Sequence, residues 1–522
     1  MGLVAITLSI PFAIASGAGA NAPQVGLATV VVAGGVAALF GGSRLLVTGP
    51  TGGFIVVLAS IAQRQGVDGL LAATMLAGLI LLLAGVLRLG KTVKFIPYPV
   101  TVGFTAGIAL SIFLGQLPDI LGATLAHPAS SALARAGGAA QAVLEGAWHP
   151  WSLAVVVLTV ALAQAGGRLL PRVPSLVTGL VLASAIVLAA HVPVPTLADK
   201  YALPHGLPAP RLPAWDPARL PDLLPDALTI AFLAALQSLL AAVVADGMAR
   251  TRHDPDQELI GQGLANLAAP LFGGIAAAGA VARTATGIQN GARTPVAALV
   301  HAGVVLAVLL ALGPAVGLVP IPVLVGILVV VCWNMAQRQH LRRLHRMPRA
   351  DAGILLCTLL LTVAVGLNVA IAVGMVLAMG TLMQQLGAAT RVVPAAHAAD
   401  AEAPLTFSPA DVPPDVAVYS IDGPFFFGAA DQFRDAIARI GRKPRAVILR
   451  LRDVPYIDST ALNVLLAAVE DLHRRGTRVL LSGIRSQPLQ LLEEAGAVHV
   501  LGQENLFRTT AEALRALDAP AP

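Results

Sequence analysis

The sequence predicts an α-helical membrane protein that carries a soluble α/β domain at its C-terminal end. Of the 522 residues, 56% are hydrophobic and only 12% are charged, and the mean hydropathy is +0.79. Apolar runs of about 16–25 residues, long enough to cross a bilayer as helices, recur up to about residue 387. After Arg391 the density of charged residues rises sharply, which indicates a soluble domain.

Fourteen apolar segments are predicted to cross the membrane, and the third and tenth are short and interrupted by glycine. Their approximate centres are residues 11, 32, 56, 79, 108, 158, 182, 236, 263, 284, 304, 328, 358 and 377. The connections at 122–150 and 192–224 are rich in proline and have few or balanced charges. They are expected on the outer side.

The basic residues cluster on one side of the membrane if all fourteen segments cross it. The positive-inside rule assigns that side to the cytoplasm, so both termini are expected there, in a multi-pass protein of the cell (inner) membrane. The net charge of +6 is attributed to these loops and not to nucleic-acid binding. The residues are Arg88, Lys91, Lys94, Arg168, Arg172, Arg250, Arg252, Arg338, Arg342, Arg343, Arg346 and Arg349.

Two motifs occur twice, in the same order and at similar offsets. Leu-Phe-Gly-Gly at 39–42 recurs at 271–274, and Ile-Pro-Tyr-Pro-Val-Thr-Val-Gly at 96–103 is similar to the sequence at 319–326. Each half contains about seven segments, so the second half would start from the opposite side of the membrane. The sequence therefore predicts a transmembrane domain at 1–390 with inverted repeats at 1–191 and 225–390. Inverted repeats are typical of secondary transporters that bind substrate near the midplane.

The interrupted segments follow the repeated Leu-Phe-Gly-Gly motif, at 47–53 and 276–284. Gly49 and Pro50 suit an extended stretch followed by the start of a helix. In an inverted arrangement, two short helices would point their N-termini at one another near the middle of the membrane. Their free N–H groups and positive dipole ends favour an anion. The alternative is that these glycines only allow helices to pack closely.

Arg283 lies inside the tenth segment, where a charged residue is costly and is a functional candidate by default. Its positive charge beside a helix N-terminus is understandable if an anion binds there; otherwise it snorkels or pairs with a carboxylate. The hydroxyls of Thr51, Thr284 and Thr286 can donate to the anion or bond back to their own helices. Gln237, in the eighth segment, either faces the site or joins two helices.

These motifs resemble those of the SulP sulfate-permease family of anion transporters and exchangers, and the resemblance covers nearly the whole chain. The most specific matches lie at 40–52, 246–248, 266–274 and 282–286. The resemblance implies seven plus seven inverted repeats divided into core and gate domains, an elevator-like motion and a homodimer. It also implies an anion held between the third and tenth helices and faced by the first helix at Pro11, Phe12 and Ser16.

Two departures from the family pattern affect the expected mechanism. Bacterial members often have an acidic residue in place of Gln237, and that carboxylate is implicated in cation coupling, so sodium or proton coupling stays open. Many members have an aromatic residue in place of Ser16. No cofactor or metal site is expected, since the two cysteines cannot build a multi-cysteine site. The candidate substrate-binding residues are Phe12, Ser16, Thr51, Gly52, Gln237, Ala280, Val281, Ala282, Arg283 and Thr284.

The leading hypothesis is secondary active transport or exchange of a small inorganic or carboxylate anion across the bilayer, not enzymatic catalysis. By resemblance, sulfate is the first choice and bicarbonate and dicarboxylates are alternatives. An uncoupled anion channel is the second hypothesis, because Gln237 is neutral. A nucleobase or ascorbate permease would share the architecture, but neutral bases need carboxylate acceptors where this chain has Arg283. A sensor that signals through the C-terminal domain is a further class.

The C-terminal region reads as a linker at 391–414 followed by a domain at 415–522. Predicted strands at 416–421, 446–451 and 478–482 alternate with helices at 428–440, 459–475 and 486–495, which indicates a partly parallel sheet. The domain resembles the STAS domain found on the tails of the same family, and the turn at 454–462 is the specific match. Asp458 or Ser459 would cap the helix that contains Thr460. The matching serine is phosphorylated in stand-alone STAS proteins, whereas capping is favoured here. A cytosolic regulatory protein is the expected partner.

Overall fold

The computed structural model forms two units, Met1–Met375 and Val376–Pro522. It describes residues 2–91, 97–125, 131–169, 173–202, 206–214, 217–311, 313–336, 341–394, 412–438 and 444–518. Lys94, Ile96, Arg172, Arg338 and most of the predicted linker lie outside the described residues.

A helix lies at each of the fourteen predicted centres. The helices of the first half are α1 (Gly2–Ala15), α2 (Ala22–Phe40), α3 (Ile55–Val86), α4 (Tyr98–Leu121), α5 (Ala132–Leu144), α6 (Pro150–Leu169), α7 (Ser175–Ala189) and α8 (Leu197–Lys200). Those of the second half are α9 (Leu220–Ala249), α10 (Pro255–Leu271), α11 (Val281–Gln289), α12 (Val296–Ala311), α13 (Gly313–Gly317), α14 (Ile321–Met335), α15 (Arg349–Ala364) and α16 (Leu367–Ala389), which contains the unit boundary. Helix α5 lies within a connection that was expected to be a loop.

The third and fourth predicted segments form the single element α3, which is broken at Gly66. The backbone of Gly66 has φ 74° and ψ 178°, a conformation that interrupts the helix and is open to glycine because it has no Cβ. The sequence predicts two separate helices. The structure joins them without a loop, as two helical parts on either side of a kink at Gly66.

Six helices in the described part of the chain are long and apolar enough to cross a membrane, and four apolar helices are shorter. Helix α11 has nine residues and is only about 14 Å long, so it cannot span a hydrocarbon core of about 30 Å. The six are Ala22–Phe40, Gly52–Val86, Tyr98–Leu121, Pro150–Gly167, Leu220–Ala249 and Val369–Ala389; the shorter ones are Val4–Ala15, Ser175–Ala189, Val296–Ala311 and Ile321–Met335.

The two halves of the first unit meet in a two-stranded antiparallel ladder. Strand β1 (Thr48–Gly49) pairs with β2 (Ala278–Gly279), so that Thr48 lies opposite Gly279. Helix α10 packs against α2 and α3, and α9 packs against α3 and α11. Helix α4 packs against α15, while α14 packs against α4 and α6. The ladder therefore lies among helices of both predicted repeats.

The second unit contains a five-stranded sheet in the order β3-β4-β5-β6-β7. Strands β4 (Val416–Asp422), β5 (Ala446–Asp453), β6 (Arg478–Ser482) and β7 (Leu506–Phe507) are parallel, as predicted for most of the sheet. The helices are α17 (Ala430–Ala438), α18 (Ser459–Arg474), α19 (Ser486–Glu494), α20 (Ala497–Leu501) and α21 (Thr510–Asp518). Alternate residues of β5 enter different cores: Val447 and Leu449 pack with Phe433, whereas Ile448 packs with Leu514.

The sheet begins earlier than the sequence indicated. Strand β3 (Arg391–Pro394) pairs antiparallel with Tyr419–Asp422 of β4, although 391–414 was expected to be a linker. Its four residues have only two apolar side chains, so the local pattern does not distinguish them from a connection. Residues 391–394 are therefore recognised as a strand only from their hydrogen bonding with β4.

Candidate functional site

Two helix N-termini lie next to the β1–β2 ladder. A short 3₁₀ turn, Gly52–Phe54, follows β1 and continues into α3, and α11 follows β2 directly. Because the strands are antiparallel, the two helices leave the ladder in opposite directions. Ala280 N donates to Val47 O (2.9 Å) and extends the pairing by one residue. The first N–H groups of both helices have no partner within their own helix, so this junction favours an anion.

Arg283 brings a fixed positive charge to this junction. Its side chain lies in the first turn of α11 and is 1% exposed, so it does not snorkel. Its Nη2 donates to Pro50 O, and its Nη1 is buried with no hydrogen-bond partner. None of the ion pairs formed by the described residues includes Arg283. The carboxylate-paired alternative is therefore absent from this part of the chain.

Gly49 makes room for the guanidinium. A Cβ at this position would lie 2.6 Å from Nη1 of Arg283, so any larger residue would require the guanidinium to shift. The glycine of the Thr-Gly-Pro-Thr-Gly stretch thus allows the guanidinium of the other half to lie against the backbone. Neither motif alone predicts this contact.

Gln237 of α9 reaches the start of the helix that follows β1. Thr51 Oγ1 donates to Gln237 Oε1 (2.6 Å), and the amide lies directly beside Gly53. Gln237 is half-buried and joins α9 to the 3₁₀ turn. The alternative in which Gln237 joins two elements is therefore observed, and its role toward a substrate stays a prediction.

Phe12 of α1 and Met335 of α14 cover Gly52. A Cβ at Gly52 would lie 2.8 Å from Met335 Sδ and 3.6 Å from Phe12 Cζ. Phe12 is 4% exposed, and the buried Ser16 follows one turn later, with its N–H donating to Phe12 O (2.9 Å). Phe12 and Gly52 were candidate residues, whereas Met335 was missed because it belongs to an ordinary apolar run.

The candidates on α11 divide into two groups. Thr284 is buried, and its Oγ1 accepts from Val47 N (3.0 Å), so it ties α11 to the segment before β1. Thr286 bonds back to Ala282 O (2.8 Å), which is the alternative that the sequence left open. Ala280 is half-buried, while Val281 and Ala282 are exposed at the first turn of the helix.

Three polar residues of α10 hold the ladder from behind and were missed as a group. Asn266 Oδ1 accepts from Ala277 N (2.9 Å), and Gln262 Nε2 donates to Thr48 Oγ1 (2.7 Å) and to Glu258 Oε1 (2.8 Å). All three side chains are at most 1% exposed. Their spacing of four residues puts them on one face of the helix, and such a polar stripe in an apolar helix was the available signal.

The turn of the second unit has the predicted cap. Asp458 precedes α18, and its Oδ1 accepts from Ala461 N (2.8 Å) while its Oδ2 accepts from Phe427 N (3.1 Å). Ser459 and Thr460 are exposed in the first turn of the helix. Capping is thus carried by Asp458, and the hydroxyl of Ser459 is accessible.

Family models match both units of the chain. The model of the Sulfate permease family matches residues 1–358, and the model of the STAS domain matches residues 408–513.

Relatives align along almost the whole length. The chain is 38% identical to the "Putative sulfate transporter YvdB" of Bacillus subtilis (strain 168) over 97% of this chain and 94% of that protein. It is 31% identical to the "Bicarbonate transporter BicA" of Synechocystis sp., over 95% of this chain and 89% of that protein.

Solved structures share the fold. The murine Solute Carrier 26 family member A9 anion transporter in the inward-facing state superposes with a TM-score of 0.87 and 18% identity, over 99% of this chain and 90% of that one. The transmembrane domain of a cyanobacterial bicarbonate transporter BicA gives a TM-score of 0.62 and 32% identity, over 71% of this chain and 94% of that one. The fold is therefore that of a helical membrane transporter with a C-terminal STAS domain.

Proposed function

Because the chain belongs to the sulfate permease family and is thus a multi-pass anion transporter, we propose that it is a secondary active transporter or exchanger of small oxyanions. Sulfate is the first candidate, and bicarbonate and dicarboxylates are the alternatives. The names of the relatives, a putative sulfate transporter and a bicarbonate transporter, support both inorganic anions. Membership of this family also argues against a nucleobase or ascorbate permease.

The observation that carries the proposal is Arg283, a buried guanidinium with an unused donor and no carboxylate partner among the described residues. An uncompensated buried charge costs several kcal/mol, so a fold retains one where a ligand supplies the opposite charge. The two helix N-termini and Arg283 attract an anion without any protein carboxylate. Phe12 and Met335 would exclude water from one side of it.

The packing supports an elevator-like mechanism. Helices α2, α3, α9, α10 and α11 contact one another around the ladder, and α4, α6, α7, α14 and α15 form a second set of contacts. We assign the first set to a moving core and the second to a gate.

The basic loops put both termini and the STAS domain in the cytoplasm in this proposal. Labelling of single cysteines placed in these loops and in the proline-rich connections would test that orientation. Cysteines in the connections should react with a membrane-impermeant reagent added to intact cells, whereas Arg346→Cys should not. Labelling of Arg346→Cys from outside would reverse the orientation.

Anion uptake by purified protein in liposomes tests the proposal. A panel of labelled sulfate, bicarbonate and a dicarboxylate should reveal saturable uptake that is accelerated by the same anion inside the vesicle. Uptake of uracil unaffected by sulfate would overturn the proposal.

An uncoupled anion channel is the second candidate, because Gln237 is neutral where bacterial members often have a coupling carboxylate. A channel would carry current without any anion on the opposite side. A transporter or exchanger would show counterflow. The two measurements on the same vesicles therefore separate these functions.

A further inference from the structure

A polar cavity lies in the first unit, and its lining residues do not include those of the β1–β2 ladder. It has a volume of about 320 Å³, and its polar lining residues are Gln63, Gln116, Asp119, Arg135, Lys200 and Tyr201. Its apolar wall comes from α1, α3 and α14; α1 and α14 also supply Phe12 and Met335 to the central site, and α3 continues from the 3₁₀ turn that contains Gly52. The cavity and the central site are therefore built on shared elements.

The cavity lies on the outward side of the central site in the proposed orientation. Gln63 lies eleven residues beyond Gly52, or about 17 Å along α3, close to the break at Gly66. After that break the helix returns toward Arg88, which belongs to the basic side. Val325 lies ten residues before Met335, or about 15 Å along α14. On α1 the cavity comes closer, because its lining residue Ile14 is only two residues beyond Phe12.

The charges in the cavity leave an excess of one positive charge. Arg135 Nη2 donates to Asp119 Oδ2 (3.1 Å), and the Nε of Arg135 is buried with no hydrogen-bond partner. Lys200 takes part in none of the ion pairs of the described residues. The neighbouring Asp199 is not one of the lining residues. Its carboxylate accepts hydrogen bonds from the backbone N–H and the hydroxyl of Thr196.

Neutral donors complete the lining. Burial raises the pKa of Tyr201, so its phenol stays protonated and able to donate at neutral pH. The amides of Gln63 and Gln116 add further donors. A small oxyanion can use all of these donors together with the excess positive charge, whereas a cation would meet a single carboxylate, Asp119, which Arg135 already engages, and two positively charged side chains.

We propose that this cavity is an outer capture site for a small oxyanion, which Arg135 and Lys200 hold before it moves to the central site. This inference rests on the proposed function, because it assumes that the chain transports such an anion. A positive cavity at the mouth of a transport path raises the local concentration of the anion and its rate of entry. Its loss should therefore raise KM and leave the maximal rate of transport unchanged.

Initial uptake of labelled sulfate and bicarbonate by cells that express the protein tests the capture site in its native orientation. We expect Lys200→Gln and Arg135→Gln each to raise KM about three- to tenfold with an unchanged Vmax, and the difference should shrink when gluconate salts raise the ionic strength. Arg135→Lys should restore KM. Arg211→Gln, an exposed residue of the same connection as Lys200 that does not line the cavity, is the matched control and should leave KM unchanged.

The outcomes separate the capture site from the proposed function. Absence of uptake by the unmodified protein would defeat the proposed function itself. Normal uptake with an unaltered KM in Lys200→Gln and Arg135→Gln would overturn the capture site alone, and so would a fall in Vmax without a change in KM. Lys200 is exposed and forms no ion pair with any described residue, so Lys200→Gln should fold and decides the question even if Arg135→Gln does not reach the membrane.

Discussion

Replacement of Arg283 by methionine should remove about half or more of the anion-dependent stabilisation of the protein without unfolding it. Methionine keeps a long side chain in the space beside Gly49 and removes the charge. The buried guanidinium has a hydrogen bond to Pro50 O and an unused Nη1 donor, which is available to an anion. Loss of a charge-assisted hydrogen bond costs about 1.5–3 kcal/mol, so the Kd for the anion should rise about 10- to 150-fold.

The stability of the anion-free protein provides an internal check. Removal of an unpaired buried charge is favourable, and loss of the donor to Pro50 O is unfavourable by about 1–3 kcal/mol. The two effects oppose each other, so the variant should differ little from the unmodified protein when no anion is present. A large loss of stability without anion would indicate that Arg283 serves only to hold the β1 segment.

Thermal unfolding of the purified protein in detergent measures both quantities. At an anion concentration of about 100 times the Kd, binding stabilises the unmodified protein by about 2.7 kcal/mol. A Kd that is about 10- to 150-fold weaker leaves about 1.4 to 0.3 kcal/mol at the same concentration. Arg252→Met, which removes an exposed charge between α9 and α10, should keep the full effect. An undiminished anion effect in Arg283→Met would refute the assignment of the site.

Three further substitutions test neighbouring parts of the structure. Gln237→Glu should make uptake dependent on pH or on sodium, because a carboxylate would then accept from Thr51 beside the anion; uptake insensitive to both would detach this position from coupling. Gly49→Ala should weaken anion binding at least tenfold although the charge of Arg283 is kept, because a Cβ would lie 2.6 Å from its Nη1; equal affinity would show that the guanidinium can move. Asp458→Ala should speed hydrogen exchange at 459–474 in the full chain by removing a cap worth about 1 kcal/mol, whereas Ser459→Ala should not. Equal exchange in both variants would contradict the capping role.

The sequence was sufficient for features that depend on local patterns. Apolar length located a helix at each predicted centre, and short apolar runs that alternate with helices located β4, β5 and β6. The repeated Leu-Phe-Gly-Gly motif precedes, in each half of the chain, the segment that forms β1 or β2. Local chemistry also limited the cap of α18 to Asp458 or Ser459, and the structure shows that it is Asp458.

Features that depend on distant contacts were not accessible in the same way. Strand β3 is recognisable only through its pairing with β4, and Met335 is distinguished from its apolar neighbours only by lying over Gly52. The regular spacing of Glu258, Gln262 and Asn266 was visible in the sequence, but the role of these residues depends on the backbone and side-chain groups of the ladder that face them. A local sequence pattern is enough to predict a helix or strand, but the contacts of its side chains depend on residues that are distant in the sequence.

The two-residue ladder has a consequence for biosynthesis. The bonds from Arg283 to Pro50 and from Val47 to Thr284 connect residues 233 and 237 positions apart in the chain. During synthesis, the backbone groups around Thr48 therefore lack these hydrogen-bond partners until the second half of the chain has been inserted into the membrane. Contacts of such long range form late and slowly. Newly made chains should pass through an intermediate in which the β1–β2 ladder has not yet formed. A membrane chaperone or a protease would recognise the chain at this stage.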